Sequence, residues 1–84
     1  MSDIDYVFQA REMLSNSLFL PIEKISAQTT INDIGVLDSL SFALLVAQIE
    51  RFTGQEVAPE EMMDIQTVQD LANLIEKKNE NESV

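Results

Sequence analysis

Asp38-Ser39-Leu40-Ser41-Phe42-Ala43-Leu44-Leu45-Val46-Ala47-Gln48-Ile49-Glu50-Arg51-Phe52-Thr53-Gly54 is the stretch on which the fold turns. Asp38 is a favoured helix cap and Gly54 a favoured stop, so a helix is expected from Ser39 to about Thr53. At 100° per residue Phe42, Leu45, Val46, Ile49 and Phe52 gather on one side, which must be the core. Leu40, Leu44 and Ala47 fall almost opposite, and Arg51 continues their line. A helix apolar on both sides is either buried all round or keeps one side for a partner. Complete burial is hard to arrange in a chain of 84 residues. The second side is therefore expected to face a partner, the plainer alternative being scattered surface apolars.

Upstream, Ile4, Val7, Phe8, Arg11, Leu14 and Leu18 follow helical spacing, with Ser2 or Asp3 as the expected cap. Pro21 rules out simple continuation. From Phe19 to Leu37 no period holds, yet Phe19, Leu20, Ile22, Ile25, Ile31, Ile34, Val36 and Leu37 are too apolar for a free linker. The expectation is an irregular segment pinned across the core. Downstream, Pro59 suits the first position of a short helix reaching about Met63. Thr67 and Asp70 form a capping pair for a last helix, with Val68, Leu71, Ala72 and Ile75 as its buried stripe and Lys77 and Lys78 at its negative end. The expected fold is all-α: a small four-helix bundle of three main helices, one short helix and a long loop after the first. It forms one domain over residues 1–78, with a frayed polar tail over 79–84.

Composition excludes whole classes of function. Fifteen acidic against five basic side chains give a formal net charge of -10, and Lys and Arg clusters for phosphate backbones are absent. Nucleic acid and anionic membrane surfaces are therefore not expected partners. With neither Cys nor His there is no disulfide, thiol nucleophile, imidazole base or conventional zinc site. The EF-hand loop pattern is missing, so no metal site is expected. The acidic start is the reverse of a signal peptide's basic region, and no apolar run is long enough to span a bilayer. The expected location is the cytoplasm, the expected state a monomer, and catalysis by the chain itself is not expected.

Ser39 sits at the mouth of the decisive helix, where free N–H groups and the positive dipole end favour an attached phosphate. Asp-Ser before an apolar run is also an ordinary helix start. Ser39 has no base to activate it within the chain, so a role for it points to modification from outside. Asp33-Ile34-Gly35-Val36-Leu37-Asp38-Ser39-Leu40 resembles the phosphopantetheine attachment motif of acyl carrier proteins and peptidyl carriers. The likeness continues through Leu45-Val46, Ile49 to Phe52, Val57, Pro59-Glu60-Glu61 and Ile65 to Leu71. It also takes in the first helix, Leu20-Pro21 and Thr29-Thr30, and so covers nearly the whole chain.

The resemblance implies that Ser39 receives phosphopantetheine from coenzyme A, through a phosphopantetheinyl transferase that uses Mg²⁺. Asp38 would position the serine and Leu40 would be a contact beside the arm. The carrier would hold an acyl or aminoacyl group as a thioester and present it to partners: a loading ligase, acyltransferases or condensing enzymes. Two residues, Val36 and Leu37, separate Gly35 from Asp38 where the fatty-acid type has one, which resembles stand-alone carriers of specialised pathways. The partner-facing residues are expected to be Leu40, Ser41, Leu44, Ala47, Glu50, Arg51, Glu60 and Glu61. Between residues 39 and 53 Glu50 and Arg51 cancel, so docking is expected to use an apolar centre with an acidic rim from Glu56, Glu60, Glu61 and Asp64. Met13, Met62 and Met63 offer soft packing for an acyl chain. Phe42 crowds the approach and points to short acyl or aminoacyl cargo. The alternative is a carrier-like bundle that is never modified and acts as a structural or regulatory interaction subunit.

Overall fold

The computed structural model describes residues 4–31 and 39–80. Within them lie four α-helices: α1 (Tyr6–Leu18), α2 (Ser39–Thr53), α3 (Pro59–Met63) and α4 (Val68–Asn79), with a 3-10 turn at Ile22–Lys24 in the first loop. The only strand-like pairing among the described residues is a single antiparallel bridge between Thr30 and Thr67. The all-α bundle read from the sequence is the observed architecture.

The cap of α1 is Asp5, whose carboxylate accepts the Phe8 N–H at 3.0 Å, and not Ser2 or Asp3. Ile4 stands outside the helix. The buried side of α1 is Tyr6, Ala10, Met13, Leu14 and Ser17, about a quarter turn from the stripe expected from the large apolar residues. Phe8 is 41% exposed and Ile4 40%. Small side chains explain the rotation. Ala10 and Ser17 let neighbouring helices approach closely, and the Ser17 hydroxyl accepts a bond from the Gln48 amide at 2.6 Å. Ser15, Asn16 and Ser17, weak helix formers, therefore do not end the helix.

A helix leaves its first N–H groups without intrahelical acceptors, and α4 draws two of its acceptors from the long first loop. Val68 N–H donates to the Thr29 carbonyl at 3.0 Å and Gln69 N–H to the Ala27 carbonyl at 2.9 Å. Asp70 N–H donates to the Thr67 hydroxyl at 3.2 Å, and the Asp70 carboxylate accepts the Gln66 and Thr67 N–H groups at 3.0 and 3.1 Å. Ile31 N–H closes the set on the Gln66 carbonyl at 2.8 Å. The other end of the loop is held by α1. The Arg11 guanidinium donates to the Ile22 and Ile25 carbonyls, and the Ser15 hydroxyl donates to the Leu20 carbonyl. Ile25 and Ile31 are thereby buried, so over its described part the loop is pinned across the core as expected.

The core joins Leu14, Ile25, Leu45, Ile49, Val68, Leu71 and Ile75, all essentially without solvent contact. α1 packs most extensively on α4 and next on α2, while α3 is lightly packed. Met13 and Met62 belong to this core, but Met63 is 81% exposed and supplies no packing. Of the tail expected over residues 79–84, residues 81–84 lie outside the described residues. Asn79 ends α4 and its amide donates to the Tyr6 hydroxyl at 2.9 Å, which in turn donates to Glu80 at 2.8 Å. Polarity suggested fraying there, and the half-buried Tyr6 hydroxyl is what holds these residues.

Arg11→Met keeps the aliphatic stem against the core and removes the two charge-assisted bonds to the loop. A loss of about 2 kcal/mol in chemical denaturation is expected. Faster amide exchange should appear at Ile25 while Leu45 and Ile49 stay protected.

Candidate functional site

Helix α2 begins at Ser39, and Asp38 with the rest of the motif back to Asp33 lies outside the described residues. The two sides read from the sequence are both present. Leu45 and Ile49 are fully buried, with Phe42, Val46 and Phe52 partly buried against the core. On the opposite side Leu40 is 66% exposed and Leu44 38%, and Ala47 and Arg51 are exposed with them. Among the described residues no other element covers this line, which runs from the start of the helix through its last turn.

The flanks of α2 are fixed by side chains of its own. Toward α1, the Gln48 amide donates to the Met13 carbonyl at 3.1 Å as well as to Ser17. Toward α3, the Glu50 carboxylate accepts the Val57 N–H at 2.9 Å. Glu50 thus anchors the α2–α3 connection, a structural duty beside the partner contact expected of it. Ser41 is half-buried on the α1 flank. The helix ends where Gly54 takes a φ of 72° and its N–H meets the Glu50 carbonyl at 2.8 Å, a conformation that suits glycine.

Between α2 and α3 lies a groove of about 300 Å³, lined by Phe42, Ala43, Val46, Ala47, Val57 and Met62. Pro59 and Glu50 complete its rim. Its α3 wall is held by one ion pair: Lys78 Nζ sits 2.9 Å from Glu61 Oε1 and donates to the Glu56 carbonyl at 2.9 Å. The second Glu61 bond is to the Ala58 N–H at 2.9 Å, which caps α3. Glu61 is therefore turned inward to Lys78 and Ala58, while Glu60, Glu56 and Asp64 are exposed. The acidic rim expected beside α2 is carried by these three more openly than by Glu61.

The same contacts set the titration of two carboxyls. The Lys78 ammonium, then the Ala58 N–H, hold the Glu61 carboxyl below its ordinary value of 4.5. The Gln66 and Thr67 N–H groups hold Asp70 below 3.8.

The start of α2 fits a bulky anionic attachment. The helix is 15 residues long, its first turn carries no carboxylate, and Leu40 beside Ser39 is open to solvent. A phosphodiester there would lie at the positive end of the helix dipole. Compared with known protein families, residues 9–75 match the phosphopantetheine attachment site family. The chain belongs to that family. Its fold is the acyl-carrier-like bundle, and the family is defined by a covalently attached phosphopantetheine group, so this chain is a carrier protein bearing that group. No curated protein matches the chain. No helix among the described residues is long and apolar enough to cross a membrane.

Sequence reasoning missed Gln48, Lys78 and Arg11 as fasteners. Each is a long polar side chain whose bond is to a distant backbone carbonyl, which no local pattern announces. Phe19 was missed as well. It is the only non-glycine residue at positive φ among the described residues, at 57°, and is 85% exposed.

Both carboxyls titrate lower in the folded chain than in the unfolded one. The stability they contribute is complete above their ordinary values of 4.5 and 3.8 and is lost as pH falls through the lowered ones. NMR titration of the Glu61 side chain should give a midpoint below 4.5 that moves upward in Lys78→Met. An unmoved midpoint would mean that the ion pair does not form in solution.

Proposed function

We propose that Ser39 carries the phosphopantetheine group and that the chain presents an acyl or aminoacyl thioester to a succession of enzymes. The observation that carries this reading is the placement of Ser39 as the first residue of α2, beside an exposed Leu40, within the family match. In the attachment step the Ser39 hydroxyl oxygen bonds to the phosphorus that bears pantetheine in coenzyme A. The pyrophosphate bond breaks, adenosine 3′,5′-bisphosphate leaves, and the hydroxyl proton passes to the transferase or solvent. When bound, the group supplies a terminal thiol, which the chain itself lacks, to hold the acyl group.

The work of this chain's own residues is to fix the attachment point and to be recognised. Asp38 orients the serine and Leu40 borders the arm. The exposed line Leu40, Leu44, Ala47 and Arg51, with Ser41 on one flank and Glu50, Glu60 and Glu61 on the other, is the surface for partner enzymes. Carrier domains of this family are generally not catalytic, and the chain carries no chemistry of its own in this reading. Tethering raises the effective concentration of the acyl group at each partner in turn. The partners are a loading ligase and acyltransferases or condensing enzymes of a specialised lipid or secondary-metabolite pathway in the cytoplasm. The chain meets them as a monomer.

The groove between α2 and α3 supports a modest cargo. At about 300 Å³ it lies at the small end of ligand-binding cavities. Phe42 narrows it on the side nearest Ser39, in keeping with short acyl or aminoacyl groups. The exposed Met63 adds no deformable packing to it.

Incubation of the chain with coenzyme A, Mg²⁺ and a broad-specificity phosphopantetheinyl transferase should add the mass of one phosphopantetheine. Ser39→Ala should add none. An unchanged mass in a folded wild-type chain would instead favour an unmodified interaction subunit. In the loaded protein, Leu44→Glu with Ala47→Glu should cut acyl transfer to a partner at least tenfold, with helicity by circular dichroism unchanged. Undiminished transfer would remove the apolar line from the docking surface. Transfer by the wild type should also weaken little between low and moderate salt, because α2 itself carries no net charge.

A further inference from the structure

Lys78 makes the only ion pair among the described residues, and its partner stands on the most lightly packed helix. α3 is five residues long, far short of the length at which a helix holds alone, and Met62 is its one buried side chain. Such a helix keeps its place only through what ties it to its neighbours.

Two ties are present. On the α2 side the Glu50 carboxylate accepts the Val57 N–H at 2.9 Å. From the last turn of α4, Lys78 donates to the Glu56 carbonyl at 2.9 Å and pairs with Glu61 at 2.9 Å. Glu56 directly precedes Val57 and Glu61 directly precedes Met62, and Val57 and Met62 are the buried residues of the α3 wall of the groove. Lys78 therefore grips that wall at both of its buried points. Without it the Val57 end stays fastened to Glu50, whereas the Met62 end keeps its burial and no bond to another helix. The pair is also partly sheltered, with 19% of the Lys78 side chain and 28% of the Glu61 side chain exposed, and so is screened less than an open surface pair.

The groove behind this wall starts one helical turn beyond Ser39, at Phe42 and Ala43. Met62 is at once its wall and a member of the core. An unbranched thioether repacks easily. A wall released at the Met62 end turns about Val57 and deepens the groove toward the core, where a longer acyl chain can enter.

We propose that Lys78 is the positioning residue that sets the length of acyl chain this carrier shelters, by clamping the α3 wall through Glu56 and Glu61. The clamp favours short chains, and its loss admits longer ones. This rests on Ser39 as the attachment point and on the α2–α3 groove as the resting place of the cargo.

The test uses the full chain, loaded by a broad-specificity transferase with butyryl- or dodecanoyl-coenzyme A, as wild type, Lys78→Met and Lys78→Arg. Cleavage of each thioester by hydroxylamine is followed by intact mass, since a sheltered thioester is cleaved slowly. In the wild type the dodecanoyl thioester should be cleaved faster than the butyryl one. In Lys78→Met the dodecanoyl-to-butyryl rate ratio should fall about threefold, the size expected for loss of one partly exposed ion pair. Lys78→Arg, which keeps a cation for Glu61, should hold the ratio within about twofold of the wild type. In the unmodified Lys78→Met chain, amide exchange at Met62 should quicken while Leu45 and Ile49 stay protected. An unchanged ratio in Lys78→Met overturns the proposal. So does equal loss of protection at both chain lengths, which would make Lys78 merely structural, or unaltered exchange at Met62. Absence of any loading in the wild type removes the Ser39 reading itself, whereas normal loading with an indifferent Lys78 overturns only the clamp.

Discussion

The N–H groups at the start of α4 need acceptors, and the loop after α1 is where the chain finds them. Thr29 and Ala27 supply carbonyls, Thr67 and Asp70 close the remaining bonds, and Ile31 ties the loop back to Gln66. A long loop in so small a domain would otherwise add conformational entropy to be overcome with little burial in return. Here it satisfies helix donors at one end and is gripped by Arg11 at the other, so that Ile25 and Ile31 enter the core. The bundle of α1, α2 and α4 closes around that arrangement.

Because the core is completed by α1, α4 and the loop, α2 can be buried on one side only. Leu45 and Ile49 serve the fold, while Leu40, Leu44 and Ala47 are left exposed. Gln48 and Glu50, bonded to α1 and to Val57, fix the rotation of the helix and so decide which residues face outward. For a carrier this matters more than any single contact. The surface proposed for partners lies on the same helix that starts at Ser39, the proposed attachment point, and its orientation is set by bonds on both flanks.

Much of this was legible in the sequence, for reasons that are local. The apolar stripes of α2 and α4, the Thr67 and Asp70 capping pair, Pro59 opening α3 and Gly54 closing α2 are all short-range signals, and each appears where the pattern placed it. The errors have a different origin. The stripe of α1 was misplaced because Phe8 and Ile4 outweigh Ala10 and Ser17 in a count of apolar side chains, whereas close packing favours the small ones. The polar sequence gives no sign that Asn79 and Glu80 are held, because the Tyr6 bonds to them join distant parts of the chain. Arg11, Gln48 and Lys78 act across the fold, and only the structure reveals their partners. For the proposed site, the motif singles out Ser39 and Leu40, whereas nothing in the sequence marks the left-handed backbone of Phe19, a residue that is neither glycine nor asparagine.

In the proposed reading the fold is complete before the prosthetic group is attached, and Ser39 at the outer end of α2 receives it. Backbone amide shifts of the chain before and after modification test this directly. The account predicts changes centred on Ser39 and Leu40 and reaching the residues of the α2–α3 groove, with Val68, Gln69 and the Ile31 amide unmoved. Shifts spread through the loop and the start of α4, or centred away from Ser39, would contradict it.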